Sequence, residues 1–201
     1  MEYVFYLGLG AVAGLISGLF GLGGGAVIVP LLIFSFAAQG ISPEIATHLA
    51  IGTSLATIVV TSLSSIYTHH QKGAIRWELV RQLSPGIVIG SALGGLIAIS
   101  LNGTLLQLMF GSFMICIGLQ MLFYKPNSEL GLKPSSPLLA VAGTGIGGIS
   151  ALFGIGGGVL TTPLLSHYGV KIHQSVASAA ACGFPIALVA TLVYSLSLIH
   201  I

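Results

Sequence analysis

Two stretches hold the groups most able to bind a ligand, SGLFGLGGGAVIVP at 17–30 and SALFGIGGGVLTTP at 150–163. Neither contains Lys, Arg, Asp, Glu or His, so the chemistry on offer is that of backbone N–H groups and hydroxyls. Glycine in a helix interior costs about 1 kcal/mol relative to alanine, so three in a row mark a break. A helix restarting near Ala26 or Val159 would present free N–H groups and the positive end of its dipole, an anion site needing no cationic side chain. The candidate backbone donors are Gly23, Gly24, Gly25, Gly156, Gly157 and Gly158. Ser17, Thr53, Ser54, Ser150 and Ser178 are the candidate hydroxyl donors. Pro30 and Pro163 are expected to shape the restarted half-helices.

Other chemistries find less support. His48 and His173 sit near the starts of membrane segments, where histidine serves as a polar end-cap or, since it titrates near neutral pH, a proton-coupling group. No Ser-His-Asp set, carboxylate pair or metal-ligand cluster can be assembled, so an enzyme is not expected and no cofactor or metal is called for. GLGGGA loosely matches a dinucleotide fingerprint, but it interrupts a membrane segment, and neither copy ends in the Gly-Lys-Ser/Thr of a P-loop. Cys116 and Cys182 lie in apolar runs and read as small buried hydrophobes.

The elements that position these groups follow from charge. Only 10 of the 201 residues are Lys, Arg, Asp or Glu, 5%, while 55% are hydrophobic; a soluble domain carries about 25% charged residues. The uncharged runs 3–43, 45–71, 82–124, 134–170 and 172–201 all exceed the roughly 20 residues that cross a hydrocarbon core. An all-α, polytopic transmembrane bundle follows, with the lipid bilayer as solvent and no basic patch for nucleic acid. The acidic start MEYVFYLGLG is read as a retained first segment and not a cleaved signal. Nothing in the sequence fixes the oligomeric state. Helices are expected at 4–37, 46–68, 78–99, 103–124, 136–167 and 173–198. The first and fifth are too long for one straight crossing and short for two, which fits a broken or re-entering helix. Loops 69–81 and 125–135 carry Lys72, Arg76, Arg81, Lys125 and Lys133, and the positive-inside rule makes both cytoplasmic.

The chain repeats itself. At an offset of 133, Gly10, Gly14, Ser17, Phe20, Gly21, Gly23, Gly24, Gly25 and Pro30 find identical partners in the second half; at 125, His48 pairs with His173. The expected division is a first repeat over 1–124, a polar linker at 125–136 and a second, incomplete repeat over 137–195. The ending LSLIHI (196–201) is what CTG TCT CTT ATA CAC ATC encodes, a transposon-end adapter read as protein, so the native sequence is expected to stop near Ser195. Small residues every four positions (Gly10, Gly14, Gly18; Gly86, Gly90, Gly94; Gly143, Gly147, Ala151) are expected to let helices approach closely.

The doubled GLISGLFGLGGGAVIVPLL and GISALFGIGGGVLTTPLL, followed by IGTSLA and VASAAACGFPIAL, resemble the TauE/SafE sulfite-exporter family of membrane permeases. The resemblance runs nearly end to end. It implies about eight helices in two four-helix repeats, and transport of small anions such as sulfite or sulfonates across a bacterial-type inner membrane. This chain departs from it by stopping after about six helices. The expectation is a secondary carrier with its site between the two breaks. The alternatives are a non-transporting scaffold, in which the glycines only pack helices, and a passive anion channel.

Overall fold

A computed structural model describes residues 7, 8, 10–15, 17, 24–123 and 136–198. Among them are seven helices after residue 17: α1 (Gly25–Ala38), α2 (Pro43–Gln71), α3 (Trp77–Ser100), α4 (Gly103–Phe123), α5 (Ser136–Phe153), α6 (Gly158–His167) and α7 (Ile172–Leu198). The described residues of 7–17 are helical as well, and no strand occurs among the described residues. Five helices, α2, α3, α4, α5 and α7, are long and apolar enough to cross a membrane. The other two are half-helices of 14 and 10 residues.

Local chemistry sets the ends. α2 opens on Pro43 with Glu44 in its first turn, where a missing N–H costs nothing and a carboxylate suits the dipole. Asn102 caps α4 by accepting the Leu105 N–H at 2.8 Å. α5 stops at Gly154, whose φ of +71° only glycine adopts cheaply; the next N–H, of Ile155, turns back onto the Ser150 carbonyl at 2.9 Å.

Two apolar clusters fix the direction of each helix. The first contains Val29, Ile51, Leu55, Ala98, Leu106, Phe153, Val159, Ala190 and Tyr194. The second contains Ile75, Leu83, Leu139, Leu165, Ala177 and Ala181, with Ile66 against it. Thus α2 runs from the first to the second, while α3 and α7 run from the second to the first. α5 climbs from Leu139 in the second to Phe153 in the first, and α6 descends from Val159 in the first to Leu165 in the second. The segment 136–167 therefore enters and leaves at one end of the bundle, the re-entering form of the expected broken helix. All four Lys and Arg among the described residues, Lys72, Arg76, Arg81 and Lys171, lie at or near that end.

The closest packing joins α3 to α5. A Cβ on Gly86, Gly90 or Gly94 would stand 1.8, 2.0 and 2.2 Å from the carbonyl oxygens of Ala140, Thr144 and Gly148. The two helices run parallel, backbone on backbone, as small-residue stripes permit. Ser91, fully buried, donates to the Gly147 carbonyl across the seam. Gly10 and Gly14, the repeat partners of Gly143 and Gly147, have nothing within 4 Å of the same position. Among the described residues, identical spacing thus meets a partner helix in one copy only.

Gly90→Val should therefore cost about 3 kcal/mol or more, the top of the overpacking range, because the obstructing atom is backbone. In a chain of this size that lowers the thermal unfolding midpoint in detergent by about 6–12 °C. Gly111→Ala, where a Cβ would meet nothing within 4 Å, should leave it unchanged or raise it slightly. Circular dichroism melts of the two variants check the pair.

Candidate functional site

The break between α5 and α6 is buried throughout, from Gly154 to Gly157. Ile51 and Val29 methyls lie 3.1 Å from the position of a Cβ on Gly154, and an Ile58 methyl 3.2 Å from that of Gly156. Ile58 is one residue from the midpoint of the 29-residue α2, so the break sits halfway along the bundle. Two glycines let other backbones reach it. A Cβ on Gly25, the first residue of α1, would stand 2.0 Å from the Gly154 carbonyl oxygen, and one on Gly183 of α7 would stand 2.6 Å from that of Gly156. The start of α1 thus abuts the loop that starts α6.

The polar groups of the break are partly satisfied by protein. The Ile155 N–H has its bond to Ser150, and the Ser54 hydroxyl, fully buried, donates to the Gly154 carbonyl at 2.9 Å across 100 residues of sequence. Gly157 caps α6 in the left-handed region at φ +75°, with no side-chain cap. The N–H groups of Leu160 and Thr161 turn onto its carbonyl; those of Gly158 and Val159 have no backbone acceptor among the described residues. Beside them the hydroxyls of Ser150 and Thr161 are buried without a hydrogen-bond partner.

The expected site residues separate accordingly. Ser54, Ser150, Gly156, Gly157 and Gly158 come together at the break, with Gly25 against it. Gly24 is right-handed, φ −46°, where its repeat partner Gly157 is left-handed, so the two copies differ locally. Ser17 is buried with an unpartnered hydroxyl, as is its partner Ser150. Gly23 lies outside the described residues. Pro30 and Pro163 each occupy the sixth position of their half-helix, where the missing N–H frees the carbonyl of Ala26 or Val159. Thr53 is half-buried on α2. Ser178 sits elsewhere: it accepts the Arg76 N–H at 3.0 Å and ties the 72–76 turn to α7 at the basic end.

The two histidines also part company. His48 bridges helices, its Nδ1 2.8 Å from the Glu44 carbonyl and its Nε2 3.1 Å from that of Ala98. His173 is exposed on the first turn of α7. Thr161 was absent from the sequence reading, although its place four residues after the N-cap Gly157 put its side chain over the start of α6. A groove of about 380 Å³ among α3, α4 and α5 is lined by apolar groups such as Leu93, Ile97, Met109 and Leu152. Its Thr144 hydroxyl donates to the Ala140 carbonyl, so the groove has no free donor for a polar ligand. Among the described residues no group of His, Cys, Asp or Glu could hold a metal.

A broken, re-entering helix at mid-bundle is a transporter-like feature, and comparison with known proteins identifies which one. The model of the family described as sulfite exporter TauE/SafE matches residues 6–201. The chain belongs to the TauE/SafE family. It is 36% identical over 176 residues to a probable membrane transporter protein of Haemophilus influenzae, covering 87% of this chain and 67% of that one. It is 28% identical over 172 residues to one of Methanocaldococcus jannaschii (84% and 63%), and 30% identical over 184 residues to YunE of Bacillus subtilis, also described as a probable membrane transporter protein (82% and 67%). The chain spans about two thirds of the length of these curated relatives. No solved structure matches it. As a TauE/SafE protein it is a multi-pass membrane transporter and not an enzyme; in a bacterium it sits in the inner membrane. Membership favours transport over the scaffold and channel alternatives.

In this TauE/SafE chain the Ser54 bond predicts a stability effect. Ser54→Ala leaves the Gly154 carbonyl buried and unpaired, a loss of about 1–3 kcal/mol, or about 2–12 °C in the melting midpoint. Ser112→Ala, at an exposed helix position, should shift it by less than a degree or two. Thermal melts in detergent read both.

Proposed function

We propose that the protein is a secondary carrier for small anions, sulfite and sulfonates foremost, whose site lies where the start of α1 meets the break before α6. The observation that carries this reading is the contact of Gly25 with Gly154. It brings the N-terminus of α1 to the loop that begins α6, so the positive ends of two half-helix dipoles converge halfway through the bundle. No Lys or Arg among the described residues lies near that point, and the anion is held by N–H groups and hydroxyls. The sulfite exporter in the family's description supplies the first substrate to try.

By the positive-inside rule the end carrying Lys72, Arg76, Arg81 and Lys171 faces the cytoplasm, and the α5–α6 hairpin enters from there. The aliphatic packing of Val29, Ile51, Ile58 and Ile186 around the break is consistent with an occluded form of the carrier. Transport then requires one hairpin to move against its neighbours. Of the two histidines put forward for proton coupling, His48 is the one joined to a second helix.

Proteoliposomes holding the full-length protein should take up radiolabelled sulfite or a sulfonate with saturation. Valine at both Gly24 and Gly157 should abolish uptake by a protein that still elutes as a single species in detergent. Undiminished uptake by that variant rejects the site.

A further inference from the structure

Resting on the reading of the break as the anion site, the geometry points to a built, cation-free pocket at the start of α6. Ser150 and Thr161 supply its hydroxyls, and it takes a small monoanion in preference to a dianion.

Three observations converge on Gly157. The first is the helix end itself: α6 begins with N–H groups of Gly158 and Val159 that no backbone carbonyl accepts among the described residues, and its N-cap has no side-chain bond. The second is independent of it. Ser150 is 1% exposed and Thr161 0%, and both hydroxyls lack a partner. They come from opposite sides of the break, Ser150 from the last turn of α5 and Thr161 from the first turn of α6. The position of a Cβ on Gly157 is 3.6 Å from Thr161 Oγ1 and 3.9 Å from Ser150 Oγ. Ser54 and Ser91 spend their hydroxyls on carbonyls, while those of Ser17, Thr162, Thr191 and Tyr194 are, like these two, buried without a partner. Ser150 and Thr161 differ in their place beside the free N-terminus of α6, where they form a set of donors awaiting an acceptor.

The third observation concerns size and charge. Ile186, fully buried, puts its Cδ1 2.5 Å from the same Cβ position. An occupant at that position must displace this terminal methyl, so Ile186 limits the size of what can enter. No Lys, Arg or His side chain is among these groups. The cost of taking an ion out of water rises with the square of its charge, whereas neutral donors gain only in proportion to it. Four neutral donors can therefore compensate one charge far better than two.

Methanesulfonate and sulfate test this, being tetrahedral sulfur oxyanions of similar size that hold one and two charges across the working pH range. Binding to the full-length protein in nanodiscs is measured by isothermal titration calorimetry. Methanesulfonate should bind at least about tenfold more tightly than sulfate. The double variant Ser150→Ala, Thr161→Val should weaken methanesulfonate binding by about tenfold or more. Its melting midpoint without anion should be unchanged or higher, since it removes hydroxyls that have no partner. Ile186→Ala should admit a larger monoanion such as benzenesulfonate, which the parent excludes.

Sulfate binding as tight as methanesulfonate overturns the charge preference. Undiminished binding by a folded double variant overturns the pocket, and if labelled sulfite is still transported, the carrier reading stands without it. A melting midpoint lowered by the double variant would show that the hydroxyls hold the fold, and also overturns the pocket. Absence of both binding and uptake overturns the pocket and the carrier reading together.

Discussion

A peptide backbone interrupted inside a membrane must find partners for its N–H and C=O groups within the protein, because lipid offers none. The structure is organised around meeting that demand at residues 154–157. The Ile155 N–H returns to Ser150, and the Gly154 carbonyl receives the Ser54 hydroxyl from a different helix. Lipid is kept out by Val29, Ile51, Ile58 and Ile186, each placing a methyl where a Cβ on one of the glycines would collide with it. Glycine appears at 25 and 183 because two more backbones must reach the same spot. Among the groups left over once this is done are two N–H groups and two hydroxyls able to donate.

A break of this kind needs a frame that does not yield, and the α3–α5 pair supplies it. Where glycine stripes bring two helices into backbone contact, dispersion forces act over short distances along several turns, and Ser91 adds a hydrogen bond across the seam. α5 is thus held along its length up to the residue where it stops. The Phe153 ring at its end stacks on Phe113 of α4 with centroids 4.9 Å apart and meets Phe110 edge-on at 5.8 Å. The turn that follows is anchored from below by glycine packing and from the side by aromatic packing. α6, ten residues long, is bounded by left-handed glycine turns at Gly157 and Gly169.

Much of this was legible in the sequence, because in lipid the rules are few. Charge placement gave the membrane class, and Pro, Gly and Asn gave several helix ends: 78–99 was expected for Trp77–Ser100 and 103–124 for Gly103–Phe123. The restart near Val159 came from glycine propensity alone and was met at Gly158. Partners were not legible. Spacing says that a stripe can pack, and it did so at Gly86, Gly90 and Gly94 while Gly10 and Gly14 met nothing within 4 Å. Hydroxyls on apolar helices look alike in sequence, yet Ser54 serves the break, Ser178 a turn at the basic end, and Ser150 no protein group. Which of them is free depends on contacts 100 residues apart. Thr161 went unseen for the same reason.

The two half-helices run in opposite directions from their meeting point. α1 leaves Gly25 and stays within the first apolar cluster to reach the end where α2 begins; α6 leaves Gly158 for the second cluster and the basic end. Both point their N-termini inward, so on the proposed reading their dipoles add at the site whichever end is open. A lysine or arginine in that position would have to be desolvated each time the carrier closes, at several kcal/mol. A field made of neutral backbone groups costs less to keep dry than a full charge does, and helix dipoles are already oriented before the anion arrives. Neutral donors at the tips of opposed half-helices therefore suit a carrier that must close around its anion and release it on either side.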